Sequence, residues 1–284
     1  MYRIITKKVL NPVVTLMEVE APRLARAAKC GQFLIVRARR QGERIPLTIC
    51  DFDATKGTVT ICIQTVGAST RLINSMEEGD CFTDVVGPLG RPSEFTEWEE
   101  SLLKASRFLF IAGGLGAAPV YPQAKYLQSK GVKVDVIIGA KNADLLIFRE
   151  EMAAVCDNLY ICTDDGSAGE KGLVTGVIKR LLDEGHKYDN AVAIGPMIMM
   201  KFATQALRGT GILMTVSLNT LMVDGTGMCG ACRVSVGGQT RFACVDGPEF
   251  DGYKVDFDEA MRRQTMYRDM EVEADHKCRI GRDQ

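Results

Sequence analysis

The alternation of apolar and polar positions changes character along the chain. In the first part, short runs rich in β-branched and apolar residues, at 13–18, 32–37 and 58–64, are separated by glycine, proline and charged turns. Short strands at this spacing are typical of an all-β barrel or sandwich. We therefore predict a β-barrel over residues 1–98, followed by a polar connecting helix or linker around 92–106.

From residue 107 onwards, apolar runs of strand length alternate with segments of helical length. Strands are predicted at 108–113, 132–140, 158–163, 190–195 and 212–217, and helices at 117–129, 145–155, 173–184 and 197–207. Such alternation is the pattern of a parallel sheet covered by helices. The predicted fold class is α/β plus β, with a central parallel α/β nucleotide-binding domain at 99–222.

The alternation ends after Thr220. Residues 223–252 contain seven glycines and three cysteines, a composition that excludes a regular helix. We predict a C-terminal loop domain rich in glycine and cysteine there. Residues 253–284 mix charges of both signs with apolar positions, and we expect this tail to contact a partner subunit; a solvated helix on the chain's own surface is the alternative.

Charge and composition narrow the class of protein. The 284 residues are 46% hydrophobic and 25% charged, as in soluble globular proteins. Lys+Arg number 35 and Asp+Glu 36, so no basic field favours nucleic acid. The longest uncharged stretch, 108–124, is interrupted by glycines and prolines, and the N-terminus lacks the apolar core of a signal peptide. We expect a cytoplasmic protein that binds neither nucleic acid nor membrane.

Three of the ten cysteines have metal-binding spacing, in the pattern Asp224-x4-Cys229-x2-Cys232-x11-Cys244. Two thiolates two residues apart can bind one metal centre from a tight loop, and Cys244 adds a third ligand. Plant-type 2Fe–2S sites use C-x4-C-x2-C with a remote fourth cysteine, and Asp224 stands where the first cysteine would be. We favour a 2Fe–2S cluster; the alternatives are a zinc site with three cysteines and an aspartate, and a lone CxxC.

The segment MVDGTGMCGACRVSV, residues 222–236, resembles the cluster loop of a known family. This family is the small, flavin-bearing (alpha) subunit of NADH-dependent reduced ferredoxin:NADP+ oxidoreductase, also called sulfide dehydrogenase or ferredoxin–NADP reductase alpha subunit. It is a branch of the ferredoxin–NADP reductase superfamily. Its nearest cousins, the electron-transfer subunits of two-component dihydroorotate dehydrogenases, usually carry cysteine where this chain has Asp224. The resemblance covers nearly the whole chain.

Two further segments resemble the flavin site of this superfamily. ERIPLTICD, residues 43–51, is similar to the flavin-binding strand, and TVGASTRLI, residues 65–73, is similar to the pyrophosphate loop. The resemblance places Thr48 near flavin N5; an ordinary helix N-cap at 65–73 and a plain turn at GPLG, residues 87–90, are the alternatives. The residues so implied in FAD binding are Arg44, Pro46, Leu47, Thr48, Val66, Gly67, Ser69, Thr70, Gly87 and Gly90.

Predicted strand ends in the α/β domain indicate a nicotinamide nucleotide site. IAGGLGAAP, residues 111–119, reads as a strand, a glycine turn and a helix start, which hold phosphates against helix-terminal N–H groups; a tight strand–helix turn is the alternative. Asp164 and Asp165 would accept hydrogen bonds from ribose hydroxyls and repel a 2′-phosphate, which favours NAD(H) over NADP(H). The implied residues are Gly113, Gly114, Gly116, Ala117, Lys141, Asp164, Asp165, Gly166, Gly195, Pro196 and Met197.

Together these sites predict an electron-transfer protein without an acid–base catalytic residue. A nicotinamide exchanges two electrons, a 2Fe–2S cluster exchanges one, and a flavin does both, so the flavin must lie between them. The resemblance implies a heterodimer with a large subunit that carries a second FAD and 4Fe–4S clusters, reaches ferredoxin, and performs electron bifurcation. The alternatives are an electron-transfer subunit for dihydroorotate dehydrogenase, and a zinc-stabilised binding module without redox function.

Overall fold

The computed structural model describes residues 2–279. Its N-terminal part is an almost closed antiparallel barrel, as the sequence predicts. The strands are β1 (Tyr2–Asn11), β2 (Val14–Glu20), β3 (Phe33–Arg37), β4 (Ile45–Asp53), β5 (Thr58–Gln64), β6 (Cys81–Phe82) and β7 (Asp84–Leu89). They are hydrogen-bonded in the order β6-β1-β2-β5-β4-β3-β7. Two short helices, α1 (Pro22–Ala27) and α2 (Ala68–Asn74), follow β2 and β5.

Strand β5 illustrates why these residues form a barrel. Val59, Ile61 and Ile63 are fully buried on the face that fills the barrel, and Cys62 is buried on the opposite face, against the second domain. β-branched side chains suit such a pleated surface. The strand Tyr2–Asn11 was not predicted, because it is bulged twice along its pairing with β2 and buries only Ile4 and Asn11.

The second domain is a sheet of parallel strands between helices. Its strands are β8 (Arg107–Gly113), β9 (Lys133–Ala140), β10 (Asn158–Thr163), β11 (Glu170–Lys171), β12 (Asn190–Ile194) and β13 (Leu213–Ser217). The helices are α3 (Glu100–Ala105), α4 (Ala117–Ser129), α5 (Arg149–Ala153), α6 (Val174–Asp183) and α7 (Met197–Leu207), with 3₁₀ turns at Glu94–Glu97, Gly114–Gly116 and Ala143–Leu145. The predicted alternation is therefore confirmed, with strand order β11-β10-β9-β8-β12-β13.

The predicted helix at 145–155 is wrong in extent. The structure has a 3₁₀ turn at Ala143–Leu145 and only five helical residues, Arg149–Ala153. Phe148 adopts a left-handed backbone with φ of 59°, which a continuous helix does not allow. Its side chain is buried against Tyr121, so tertiary packing decides the backbone here.

The glycine-rich segment forms a hairpin and then returns to the parallel sheet. Strands β14 (Arg233–Val236) and β15 (Gln239–Phe242) pair with each other, whereas β16 (Glu249–Asp251) pairs antiparallel with β13. A 3₁₀ turn, Gly252–Lys254, follows. The predicted loop domain at 223–252 thus shares its last strand with the nucleotide-binding sheet.

The charged tail folds onto the chain itself along its described length. Helix α8 (Phe257–Gln264) buries Phe257 and Ala260 in the core of the second domain. Helix α9 (Arg268–Arg279) packs on α2, where Arg71 and Asp275 form an ion pair of 3.0 Å. Met266, Tyr267, Met270 and Val272 remain exposed, so that an apolar strip faces outwards. Within residues 2–279, none of the helices combines the length and apolar character needed to cross a bilayer.

Candidate functional site

One cavity of about 1560 Å³ lies between the barrel and the parallel sheet. Its walls come from β4 and β5 of the barrel, from the carboxyl ends of β8, β9, β12 and β13, and from α8 of the tail. Carboxyl ends of parallel strands are where open α/β sheets bind ligands. The cavity is large enough for a cofactor and part of a second ligand together.

The barrel side of the cavity contains three of the predicted flavin residues. Pro46, Leu47 and Thr48 line it, and Thr48 lies on β4 opposite Phe33 of β3. Leu47 is buried and Thr48 is half-buried, so that this part of the wall combines an apolar side chain with one that carries a hydroxyl. This placement is compatible with the expectation that Thr48 contacts a flavin ring.

The other predicted flavin residues lie outside the cavity lining. The Arg44 guanidinium donates to the backbone carbonyls of Val223 and Asp224, at 3.3 Å each, so it supports the cysteine loop. Gly87 and Gly90 lie beside β3, where a Cβ on Gly90 would contact Pro248 at 2.9 Å. The phosphate contact assigned to Arg44 stays a prediction, which its position does not favour.

The predicted pyrophosphate loop is a capped helix start. The hydroxyl of Thr70 accepts hydrogen bonds from the N–H groups of Val66 (2.9 Å) and Gly67 (3.0 Å), and Ser69 donates to the Glu43 carboxylate. Val66 is 75% exposed. Gly67 is the N-cap residue of α2, and Thr70, the third residue of that helix, bonds back to its N–H. Phosphate binding by Val66, Gly67, Ser69 and Thr70 stays a prediction.

The glycine turn after β8 forms the opposite wall. Gly113, Gly114 and Gly116 line the cavity, as do Gly195, Pro196 and Met197 after β12. A Cβ on Gly116 would overlap the carbonyl of Ile194, so only glycine allows the two turns to touch. Gly114 has a φ of +53°. Ala117 is fully buried behind the turn, as the first residue of α4.

The acidic pair predicted to bind ribose is divided by the structure. Lys141 and Asp164 line the cavity as exposed side chains at its rim. Asp165 instead accepts hydrogen bonds from the N–H (2.9 Å) and the hydroxyl (2.6 Å) of Ser167, and these bonds lower its pKa. Gly166, with a φ of +81°, belongs to the same turn. Only Asp164 is positioned to meet a nucleotide in this cavity.

Two of the three motif cysteines lie together. Cys232 and Cys244 are buried, with sulfurs 3.2 Å apart, which is longer than a disulfide, and both are free thiols. Burial and the neighbouring Cys232 raise the pKa of Cys244 to about 12. Such thiols become thiolates when a metal displaces their protons. Cys229 is exposed on the loop above them.

Asp224 caps the cysteine loop. Its carboxylate accepts hydrogen bonds from the Thr226 hydroxyl (2.7 Å), the Thr226 N–H (3.1 Å) and the Met228 N–H (3.0 Å), which together lower its pKa. Gly225 and Gly227, at φ of +82° and +88°, allow this tight turn. The turn-capping alternative is thus present in the structure, and ligation by Asp224 stays a prediction.

The three motif cysteines are divided between a buried pair, Cys232 and Cys244, and the exposed Cys229. In the part of the chain that the structure describes, no three His, Cys, Asp or Glu side chains gather closely enough to hold one metal ion. A zinc site needs four ligands within about 2.0–2.3 Å of one point. A 2Fe–2S centre instead divides its four ligands between two irons.

Phe33 joins the cavity to the cysteines. Its side chain lines the cavity and also packs in the small core that contains Cys232, Cys244 and Met222. Sequence reasoning missed Phe33 and Met222, because an apolar residue in a strand carries no chemical signature. It also missed Met261 and Gln264 of α8, which line the cavity from a segment that we expected to be a tail.

Comparison with known proteins agrees with this geometry. The iron-sulfur cluster binding domain of dihydroorotate dehydrogenase B matches residues 219–256. A Thermotoga maritima protein named dihydroorotate dehydrogenase B (NAD(+)), electron transfer subunit homolog, is 46% identical over 253 residues, which are 89% of this chain and 86% of that protein. The chain belongs to the family of dihydroorotate dehydrogenase B electron transfer subunits.

Two further proteins resemble the chain along nearly its full length. A Clostridium beijerinckii protein known only as an uncharacterized protein in the adh 3′ region is 55% identical over 99% of this chain and 95% of its own length. A chain of NADH-dependent reduced ferredoxin-NADP oxidoreductase, solved to explain flavin-based electron bifurcation, is 42% identical and covers 96% of both chains, with a TM-score of 0.89.

These relationships confirm the resemblance inferred from the cluster loop and the predicted fold of the ferredoxin–NADP reductase type. The chain is an electron-transfer subunit of a flavin and iron–sulfur oxidoreductase, with FAD, a 2Fe–2S cluster and NAD(H) as its cofactors. Membership among electron-transfer subunits also implies a larger partner subunit.

Proposed function

We propose that this chain passes electrons between NAD(H), FAD and a 2Fe–2S cluster within an electron-bifurcating NADH-dependent reduced ferredoxin:NADP+ oxidoreductase. The observation that carries the proposal is the cavity that runs from the glycine turn after β8 to Thr48 on β4, with Phe33 shared between the cavity and the buried cysteines. A nucleotide site, a flavin site and a cluster loop are thereby neighbours.

At the nucleotide end of the cavity, residues of this chain bind the nicotinamide nucleotide and distinguish NAD(H) from NADP(H). The turn at Gly114 and Gly116 brings backbone N–H groups to the start of α4, where a phosphate is stabilised. Asp164 at the rim accepts hydrogen bonds from ribose hydroxyls and repels a 2′-phosphate. Lys141 is the opposing charge at the same rim. We therefore assign NAD(H) to this site.

At the centre, the barrel strand orients the flavin. FAD, when bound, supplies the exchange of electrons both in pairs and singly. Thr48 would offer its hydroxyl to the ring, and Pro46 and Leu47 would supply an apolar surface against it. The apolar walls around Leu47 and Phe33 would limit the contact of a bound ring with water.

At the far end, Cys229, Cys232 and Cys244 hold the cluster, with Asp224 as the proposed fourth ligand. Phe33 and Met222 line the cavity and also pack in the small core that contains the buried thiols. A flavin on β4 would therefore lie close to a cluster in this loop. Arg44 fixes the loop to the barrel through two backbone carbonyls.

The proposed partner is a large subunit that carries a second FAD and 4Fe–4S clusters and exchanges electrons with ferredoxin. It would oxidise NADPH and divide the electrons between ferredoxin and, through this chain, NAD+. The 42% identity to a chain of NADH-dependent reduced ferredoxin-NADP oxidoreductase, over 96% of both chains, supports this choice. The apolar strip of Met266, Tyr267, Met270 and Val272, at the start of α9, is a candidate contact for that subunit.

A second candidate is the electron-transfer subunit of a dihydroorotate dehydrogenase, favoured by the match at residues 219–256. Co-purification from the native cell separates the two candidates. A partner that oxidises NADPH and reduces ferredoxin and NAD+ together supports the first; a partner that oxidises dihydroorotate with NAD+ contradicts it. A visible spectrum without flavin and iron–sulfur bands would contradict both and favour a zinc-stabilised module.

A further inference from the structure

Arg263, in the last turn of α8, connects this helix to the cysteine loop. Its Nη2 atom donates a hydrogen bond to the Ala231 carbonyl at 3.1 Å. Ala231 lies between Cys229 and Cys232, and its carbonyl belongs to the peptide bond that joins it to Cys232. Because only that peptide and the Cys232 side chain separate the two groups, standard bond lengths place Nη2 less than about 10 Å from the Cys232 sulfur.

The charge of Arg263 is not balanced by a carboxylate. The guanidinium forms no ion pair in the part of the chain that the structure describes, and its Nε atom is buried there without an acceptor. An arginine side chain stays protonated in proteins, so this charge cannot be removed by losing a proton. Partly buried charges are normally paired, and an unpaired cation in this position favours an anion beside it.

The cysteine loop supplies that anion when it binds iron. Metal binding displaces the protons of the thiols, so that Cys229 and Cys232, on either side of Ala231, become negatively charged. Reduction of a cluster held by these residues adds a further negative charge. A fixed cation stabilises the reduced form more than the oxidised form and therefore raises the reduction potential, which in such centres depends on net charge and hydrogen bonding.

Stabilisation of the helix end is the alternative role for Arg263. Basic side chains in the last turn of a helix interact favourably with its dipole. Arg262 is in the same turn of α8, but its side chain is exposed and forms no ion pair within residues 2–279. Phe257 and Ala260 hold α8 in the core of the second domain, so the position of the helix does not depend on Arg263. The two arginines therefore share the helix end, whereas the hydrogen bond to the cysteine loop comes from Arg263.

We propose that Arg263 is a positioning residue of the 2Fe–2S site, which holds the peptide between Cys229 and Cys232 and raises the reduction potential of the cluster through its charge. This inference rests on the proposed cluster ligands. A higher cluster potential favours the transfer of an electron from the flavin to the cluster. Helix α8, which also lines the cavity through Met261 and Gln264, thus takes part in both redox sites.

Three variants separate the charge of Arg263 from its hydrogen bond and from its effect on the helix. Arg263→Gln removes the charge but keeps a side-chain N–H donor. Arg263→Lys keeps the charge without the planar guanidinium. Arg262→Gln is the matched control, because it removes the same charge from the same helical turn but from a side chain that makes no contact with the loop.

The full-length chain with its cofactors is reduced stepwise without oxygen, and the electron paramagnetic resonance signal of the cluster is recorded at each potential. We expect Arg263→Gln to disfavour reduction of the cluster about tenfold, the effect of a unit charge at about 10 Å in a medium with an effective dielectric constant of about 20. For a one-electron couple this is a fall of about 59 mV. Arg263→Lys should keep most of the wild-type potential, and Arg262→Gln should change the equilibrium less than about twofold.

A wild-type potential in Arg263→Gln would overturn the inference and leave the proposed function intact. An equal fall in Arg262→Gln would also overturn it, because total charge would then explain the effect. So would a fall in Arg263→Lys as large as that in Arg263→Gln, or loss of the cluster from both variants, since the contact and not the charge would then matter.

Arg263→Lys also provides the test if Arg263→Gln alone fails to hold a cluster. A potential near that of the wild type then supports the role of the charge, and a clearly lowered potential contradicts it. A wild-type chain without the cluster signal would overturn the proposed ligands and this inference together.

Discussion

Glu249 lies where the barrel linker, the nucleotide-binding domain and the cysteine segment meet. Its Oε1 atom accepts hydrogen bonds from the Ser93 hydroxyl (3.0 Å) and the Gln123 amide (2.9 Å). Burial raises the pKa of its carboxyl from 4.5 to about 7, although these two hydrogen bonds oppose the shift. The Oε1 atom of Gln123 has no partner within residues 2–279. We therefore expect Glu249→Gln, a neutral replacement of the same shape, to stabilise the fold at high pH.

The expected gain in unfolding free energy from Glu249→Gln follows from the pKa of the Glu249 carboxyl in the folded and in the unfolded chain. A carboxyl that titrates at about 7 in the folded chain and at 4.5 in the unfolded chain binds more protons when folded, so its contribution to stability is complete below pH 4.5 and is lost as the pH rises through 7. The difference of about 2.5 pKa units corresponds to at most about 3 kcal/mol at pH 8. At pH 5 the expected advantage of Glu249→Gln shrinks to about 1 kcal/mol.

Urea unfolding of the FAD-free chain between pH 5 and 8 measures this advantage. Trp98, the only tryptophan of the sequence, follows Ser93 by a few residues and packs on Phe108, so its fluorescence reports on this junction. Glu94→Gln, which removes an exposed carboxylate beside Glu249, is the control and should change stability by less than about 0.5 kcal/mol. If wild type and Glu249→Gln lose stability in parallel over this pH range, or if the variant is the less stable at pH 8, the reasoning is wrong.

Three further predictions concern the cofactors and the partner. Asp224→Cys should keep the cluster and lower its reduction potential, because a thiolate donates more charge to iron than a carboxylate does, whereas Asp224→Ala should weaken cluster binding. If both variants show an unchanged electron paramagnetic resonance signal and an unchanged midpoint potential, Asp224 is not a ligand of the cluster. Stopped-flow absorbance should show faster flavin reduction by NADH than by NADPH. Asp164→Asn should reduce the ratio of the two rates, because it removes the repulsion of a 2′-phosphate. Faster reduction of the wild-type flavin by NADPH would contradict the assignment of NAD(H). Deletion of residues 268–284 should abolish assembly with the large subunit, which size-exclusion chromatography measures. FAD should stay bound, because α8 with its buried Phe257 and Ala260 is retained. Normal assembly of the shortened chain would refute a docking role for α9.

The local pattern of the sequence determined most of the secondary structure. The predicted strands 58–64 and 158–163 and the predicted helices 117–129 and 197–207 coincide with β5, β10, α4 and α7. Periodicity records which face of an element is buried, and these elements have strongly apolar faces. The cysteine spacing was equally local, and the family to which the chain belongs agrees with the iron–sulfur interpretation.

Only the tertiary structure decided which residues share the site. Phe33 contacts the cysteine core because β3 and the loop at 223–232 pack together, although they lie far apart in the chain. Arg44 reaches that loop, and Asp165 forms a turn beside the cavity rim. Helix α8 lines the cavity from a segment that we expected to be a tail in contact with a partner subunit. The physical reason is that a side chain's type and spacing determine what it can bind, whereas its partner is set by contacts between distant segments, and these leave no periodic mark in the sequence.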